Sequence, residues 1–375
     1  MLLQIISFEL RTALNSKVTY IYFAIMFALT FMFINAVGGA FPAIQIGIAG
    51  DNIKLNSPMV IDLVLSFFSF LGIFITAGIV SNIIYKDFKY DSLSLTFTTQ
   101  VSKFNYLMGR YIAALLINIL VFLGPAFGIL IGSEMPYLNS DMFGDVIPMA
   151  YINTYLSRII PNLFFITALF FTLTLLLRNI VINWFVIIGL YVLYAVGGRM
   201  INDLDNQTLA ALLDPFGMAS SMKVSSNFSA DEANTQSIPL ESVYLLNRIL
   251  WVIIGAITLI IGYFRFNFSF DIDKIKIRKK KAKSFENNIQ TNGSENYIDR
   301  QINTVQPNYG LKHNLLSFIS LFRREFKGLI TNIYFILIMI IGIGFLITTS
   351  QAIGKIFDTV TYPVTYQVIE ILGGT

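Results

Sequence analysis

His313 is the only histidine among 375 residues, and cysteine is absent. No paired-imidazole metal site, thiolate ligand, disulfide or cysteine nucleophile can therefore be built. The phosphate-cradling pattern GxxxxGK(S/T) does not occur, because the sole Gly-Lys pair, Gly354-Lys355, is followed by Ile356. If ATP drives this protein, another polypeptide hydrolyses it. The apolar stretches hold no His beside a Ser and no pair of Asp, so an intramembrane hydrolase lacks its parts. What remains is segment 86–110, which reads KDFKYDSLSLTFTTQVSKFNYLMGR. It has a charged opening, a short amphipathic stretch, a polar corner and a helix start that Thr99 or Ser102 can cap. Such an element can lie across a membrane face and present Leu93, Leu95 and Phe97 to a partner. A plain connecting loop is the alternative.

The elements that position this segment are spans. Hydrophobic residues make up 55% of the chain and charged residues 13%, against about 25% charged in a soluble domain. The composition excludes a soluble enzyme and points to an all-α polytopic membrane protein. Seven stretches suit a bilayer that needs about 20 apolar residues per helix: part of 18–50, then 63–85, 111–133, 159–177, 179–198, 243–264 and 328–354. Only the sixth carries a charge, Arg248 near its outer end, where a long side chain is expected to snorkel to the headgroups. Arg178 alone separates the fourth and fifth, so these form a tight hairpin with Arg178 and Asn179 at the interface. A carrier coupled to ions usually places ionisable groups at mid-membrane depth. Here Asp62 and Arg248 stand at span ends and none is central, which leaves transport driven from outside the membrane.

Lys and Arg in the loops set the orientation. With the N-terminus inside, cytoplasmic segments hold twenty basic residues and the outer loops six: Lys54, Arg158, Arg199, Lys223, Arg248 and Lys355. Residues 2–17 place Leu3, Ile6, Leu10, Ala13 and Leu14 at helical spacing, with Gln4, Glu9, Arg11, Asn15 and Lys17 between them. That pattern predicts an amphipathic helix in the inner interface; a helix continuous with the first span is the alternative. Segment 315–327 opens in the same way, with Glu325 and Lys327 aligning with Glu9 and Arg11. The chain thus reads as a six-span unit over 1–270, a basic and polar cytoplasmic linker over 271–310, and an interfacial helix and first span of a second unit over 311–375. The linker run from Lys274 to Lys283 suits anionic lipid at about 1 kcal/mol per basic residue, or serves as an ordinary positive-inside anchor. A basic stretch beside a span needs no nucleic acid to explain it.

Segment 86–110 resembles the coupling region of type-2 ABC exporter permeases. That family has a Gly/Ser-Thr-Leu-x-x-Leu element, then Thr-Pro-x-Ser-Arg, then Gly-Lys opening the next helix. Asp91-Ser92-Leu93 with Leu95, then Thr99-Gln100-Val101-Ser102-Lys103, then Gly109-Arg110 follow this order. Gln100 stands where the family often has Pro, and Lys103 and Arg110 exchange one basic residue for the other. The layout over about 1–270 is also similar: an interfacial helix, a loop between spans two and three, a tight turn between four and five, and a sizeable outer loop before six, with room for short re-entrant helices. The resemblance implies that a separate ATPase subunit binds ATP, with no cofactor on this chain. It further implies that Asp91, Ser92, Leu93, Leu95, Thr98, Thr99, Val101, Ser102 and Lys103 transmit its closure. Its other implied partners are a second six-span unit and membrane lipids, in a bacterial inner membrane. Two such units followed by a zinc aminopeptidase domain form a similar, larger class of bacterial permease, but nothing in these residues supplies that chemistry, and no enzyme is expected. A reading of a different class is a non-transporting scaffold that recruits partners through the linker and the outer loop. Gly124, Gly128 and Gly132 give the third span one smooth face beside Pro125, suited to close helix packing or, alternatively, to gating at a kink.

Overall fold

The computed structural model describes residues 1–41, 52–90, 100–200, 207–266, 311–330, 355–356 and 359–360. Two compact units divide the chain, Met1–Arg278 and Lys279–Thr375. The regular secondary structure described in the first unit is all helical. In order they form α1 (Leu2–Leu14), α2 (Lys17–Val37), α3 (Pro58–Leu71), α4 (Ile73–Lys89) and α5 (Lys103–Ser133). After them come α6 (Pro148–Thr154), a π-turn (Tyr155–Ile159), α7 (Ile160–Leu177), α8 (Val181–Met200), α9 (Gln207–Leu213), α10 (Met218–Ser225), α11 (Ala230–Thr235) and α12 (Ser242–Arg265). The second unit contains α13 (Leu311–Ile330) and a minimal antiparallel ladder pairing Lys355 with Val360 and Ile356 with Thr359.

Four of these helices are long and apolar enough to cross a membrane: α2, α5, the run Pro148–Leu177 through the π-turn, and α12. A fifth span arises if the pair α3 and α4 counts as one. The shorter apolar stretch Val181–Tyr194 belongs to α8. The expected seventh span, 328–354, lies largely outside the described residues.

The second expected span is broken. A continuous helix over 63–85 was the expectation, whereas α3 and α4 meet at Gly72 with a 48° bend. The bend presses Gly72 onto the ring of Phe122, where an added Cβ would stand 2.5 Å from Cζ. Helix ends leave carbonyls unpaired, and the Tyr191 hydroxyl donates to the Phe70 carbonyl beside the break at 3.0 Å. The expected tight hairpin is a short turn between Leu177 and Val181. Arg178 adopts the left-handed conformation there (φ 52°) and its guanidinium lies over the Phe88 ring. The Asn179 side chain accepts from the Val181 amide at 2.9 Å.

α5 is the axis of the first unit, touching α1, α2, α3, α4 and α7. Its close approach to α2 rests on glycine: a Cβ on Gly124 or Gly128 would stand 2.8 Å from the Phe23 or Phe27 carbonyl oxygen. Gly132 is looser, 3.4 Å from Asn35 and Ile34. α12 uses the same device against α7. There, a Cβ on Gly255 would be 3.1 Å from the Phe165 Cα and one on Gly262 would be 2.9 Å from the Thr172 hydroxyl. Small residues substitute for a hydrophobic driving force when the solvent is lipid, and polar side chains add to them. Asn183 of α8 donates to Ser81 of α4 (2.9 Å) and Thr174 of α7 (2.7 Å), tying three buried helices.

Candidate functional site

Two buried charge networks occupy opposite ends of the first unit. The first joins α1, α4 and α5. Helical spacing stacks Tyr106 and Arg110 on one face of α5, and Ile83, Lys86 and Asp87 on one face of α4. Glu9 of α1 bonds Lys86 at 2.6 Å and reaches Arg110 at 3.5 Å. Arg110 continues to Asp87 at 2.7 Å and donates to the Ile83 carbonyl at 2.9 Å. The Tyr106 hydroxyl donates to Asp87 at 2.7 Å, and its ring lies under the Arg110 guanidinium. Two anions face two cations, and every polar end finds a partner. Burial of charge is tolerable only on those terms.

The helix expected over residues 2–17 is α1, Leu2–Leu14. Leu3 is 77% exposed, whereas Glu9, one of the polar positions of the pattern, is 2% exposed and turned onto protein. Lys86 and Arg110 attract the carboxylate, so the helix seats the Glu9 face on protein. Leu3 and Phe8 are left on the outer surface, as suits a helix between protein and lipid. A carboxylate flanked by apolar residues within an otherwise lipophilic helix was the available signal.

The second network joins α3, the π-turn, α10 and α12. Arg158 grips Asp62 with two bonds, 3.1 Å and 2.6 Å, and its third donor group meets the Gly217 carbonyl at 3.1 Å. Asp214 takes the amides of Phe216 (2.8 Å) and Ala219 (2.7 Å), which shapes the turn leading into α10. Asn247 ties the same segment to α12 through the Ala211 (2.6 Å) and Asp214 (2.9 Å) carbonyls. Arg248 is 3% exposed and does not snorkel to a headgroup. It donates to the side-chain oxygens of Asn162 and Asn247, because the segment carrying α9 and α10 folds over it and replaces water with amide dipoles. Counting Asp214, this network too holds two carboxylates and two guanidiniums. Beside it lies a cavity of about 60 Å³, lined in part by Met59, Asp62, Ser66, Arg158, Met218 and Met222. That is space for one or two waters.

The sequence-derived coupling residues divide between described and undescribed positions. Asp91, Ser92, Leu93, Leu95, Thr98 and Thr99 lie outside the described residues. Val101 packs half-buried on the core, the Ser102 hydroxyl accepts from the Asn105 amide at 3.2 Å and caps α5, and Lys103 lies over the Tyr263 ring. Sequence reasoning passed over Glu9, Asp87, Tyr106 and Arg110 as a group. It also left Asp62 and Arg248 as separate span-end charges and Arg158 as an outer-loop basic residue. Spacing along one helix cannot show which faces of three helices converge. Among the described residues, no three His, Asp or Glu side chains converge to hold a metal ion. Compared with known proteins, the chain matches no protein-family model and no curated relative.

Proposed function

We propose that the chain is the transmembrane permease subunit of an ATP-driven exporter of the ABC type. In this reading it is a six-span unit in a bacterial inner membrane with its N-terminus in the cytoplasm. A separate ATPase subunit hydrolyses ATP, a second six-span unit completes the path, and the cargo is amphipathic or lipid-like.

The reading is carried by the charge network around Glu9. Its members Asp87 and Arg110 bracket segment 91–102 on either side, in α4 and α5, and Glu9 links both to α1. A loop that delivers force from a partner needs ends that do not yield. Buried, fully paired charges resist local opening, since losing one partner of such a pair costs about 3–5 kcal/mol. A push on segment 91–102 then reaches α1, the bent pair α3 and α4, and α5 together. The basic bias of twenty against six residues supports the orientation.

The test is co-purification of an ATPase with the tagged chain from native membranes in mild detergent. Changing Leu93 and Leu95 together to Asp should release the ATPase and abolish ATP-dependent transport while the thermal transition stays in place. A preparation free of ATPase, from cells where the protein functions, would overturn the reading in favour of a scaffold.

A further inference from the structure

Residues 2–11 read LLQIISFELR and residues 318–327 read FISLFRREFK. Aligned without a gap, apolar meets apolar and polar meets polar at every position except Phe8 against Arg324. Both decapeptides are helical, in α1 and α13. In the first unit, two members of this pattern one turn apart read two consecutive residues of α5. Ile5 sits on Gly109, where an added Cβ would be 2.8 Å from its Cγ2, and Glu9 engages Arg110 and, from α4, Lys86. The counterparts in α13 are Leu321 and Glu325, with Phe322 in place of Ile6.

In the second unit these positions are open. Leu321 is 51% exposed, Phe322 58%, and the Glu325 side chain 74%; among the described residues it is bonded by the neighbouring Arg324 at 3.1 Å. Arg323, Arg324 and Lys327 of the same helix suit an anionic surface, but the carboxylate beside Leu321 and Phe322 suits neither that surface nor lipid tails. It suits a receptor that supplies cations. We propose that the α13 face carrying Leu321, Phe322 and Glu325 docks on a second membrane helix pair built like the cradle of α1. One helix of that pair presents glycine followed by arginine, and the other presents lysine. The glycine admits Leu321, and the cations take Glu325 out of solvent as Lys86 and Arg110 take Glu9.

A graft into the full chain tests this with the one cradle whose chemistry is known, and its readout is stability, so it stands apart from the transport reading. Residues 2–11 are replaced by FISLFRREFK, and a second graft retains Phe8 at the one mismatched position. At least one graft should unfold within about 3 °C of the native chain in detergent. Changing its carboxylate to Gln should then lower the transition by roughly 10 °C, the same loss expected of Glu9→Gln in the native chain. Failure of both grafts to fold, or a folded graft indifferent to that carboxylate, would overturn the proposal. Binding of an α13 peptide to phosphatidylglycerol vesicles regardless of Glu325 would then assign the face to lipid.

Discussion

Asp62 and Arg158 show what a buried ion pair demands of its surroundings. The two-bond fork uses both carboxylate oxygens and two of the guanidinium nitrogens, and the third nitrogen is satisfied by the Gly217 carbonyl. Removing one partner strands the other in an apolar site. Asp62→Asn should therefore destabilise the first unit by about 3–5 kcal/mol, measured as loss of thermal stability in detergent. A change below about 1 kcal/mol, the range of exposed pairs, would mean that water reaches the fork. Arg248 behaves differently because its acceptors are amide oxygens. These contacts were beyond the sequence, since Asp62, Arg158, Asp214 and Arg248 are distant in the chain and each alone resembles an ordinary span-end or loop charge.

At the scale of elements, glycine position decides which helices can touch. Gly128 faces the α2 backbone, with 2.8 Å between a hypothetical Cβ and the Phe27 carbonyl, whereas nothing lies within 4 Å of Gly189 in α8. Gly128→Ala should cost about 1–3 kcal/mol through forced separation, while Gly189→Ala should be neutral or stabilise by up to about 1 kcal/mol through helix propensity. Thermal unfolding of the two variants compares them directly, and equal effects would refute the close approach. The glycines at 124, 128 and 132 were legible by their spacing. Gly255 and Gly262 were not, because a seven-residue separation marks a shared face only once the partner helix is known.

The short helix α11 offers a pH test at the same scale. Ser229 and Glu232 form a reciprocal cap, and the bond from the Ser229 amide, with that from its hydroxyl, holds the Glu232 carboxyl below its usual range. A lowered carboxylate stabilises the fold above its unfolded-state pKa, and that contribution fades as pH falls through the lower folded value. Asn234 of α11 anchors residues 52 and 54 (2.8 Å each). Protection of the Lys54 amide from hydrogen exchange should thus drop in acid more steeply than in Glu232→Gln.

For the whole molecule, the absence of cysteine makes orientation directly measurable. Thr12→Cys in α1 and Ser226→Cys after α10 both replace exposed residues. In the N-inside arrangement, a membrane-impermeant maleimide should label residue 226 in intact cells and residue 12 only after permeabilisation. The reverse pattern would invert the topology. The same pair of sites reports whether the two charge networks lie on opposite sides of the bilayer.

Composition and uncharged runs of about span length determined that the chain folds into helices, several of them long and apolar enough to cross a membrane, where lipid leaves the backbone no acceptable alternative. They also placed α2, α5, α7, α8 and α12 and the turn at Arg178, and narrowed the α5 cap to Thr99 or Ser102, all of which depend on neighbours in sequence. The break at Gly72, the inward turn of Glu9 and the burial of Arg248 came only with the tertiary structure. Each depends on a group from a distant helix: Phe122 against Gly72, Lys86 and Arg110 for Glu9, and the α9–α10 segment over Arg248. Hydropathy measures how well a residue suits lipid, and it carries no term for a partner that makes a charge acceptable there.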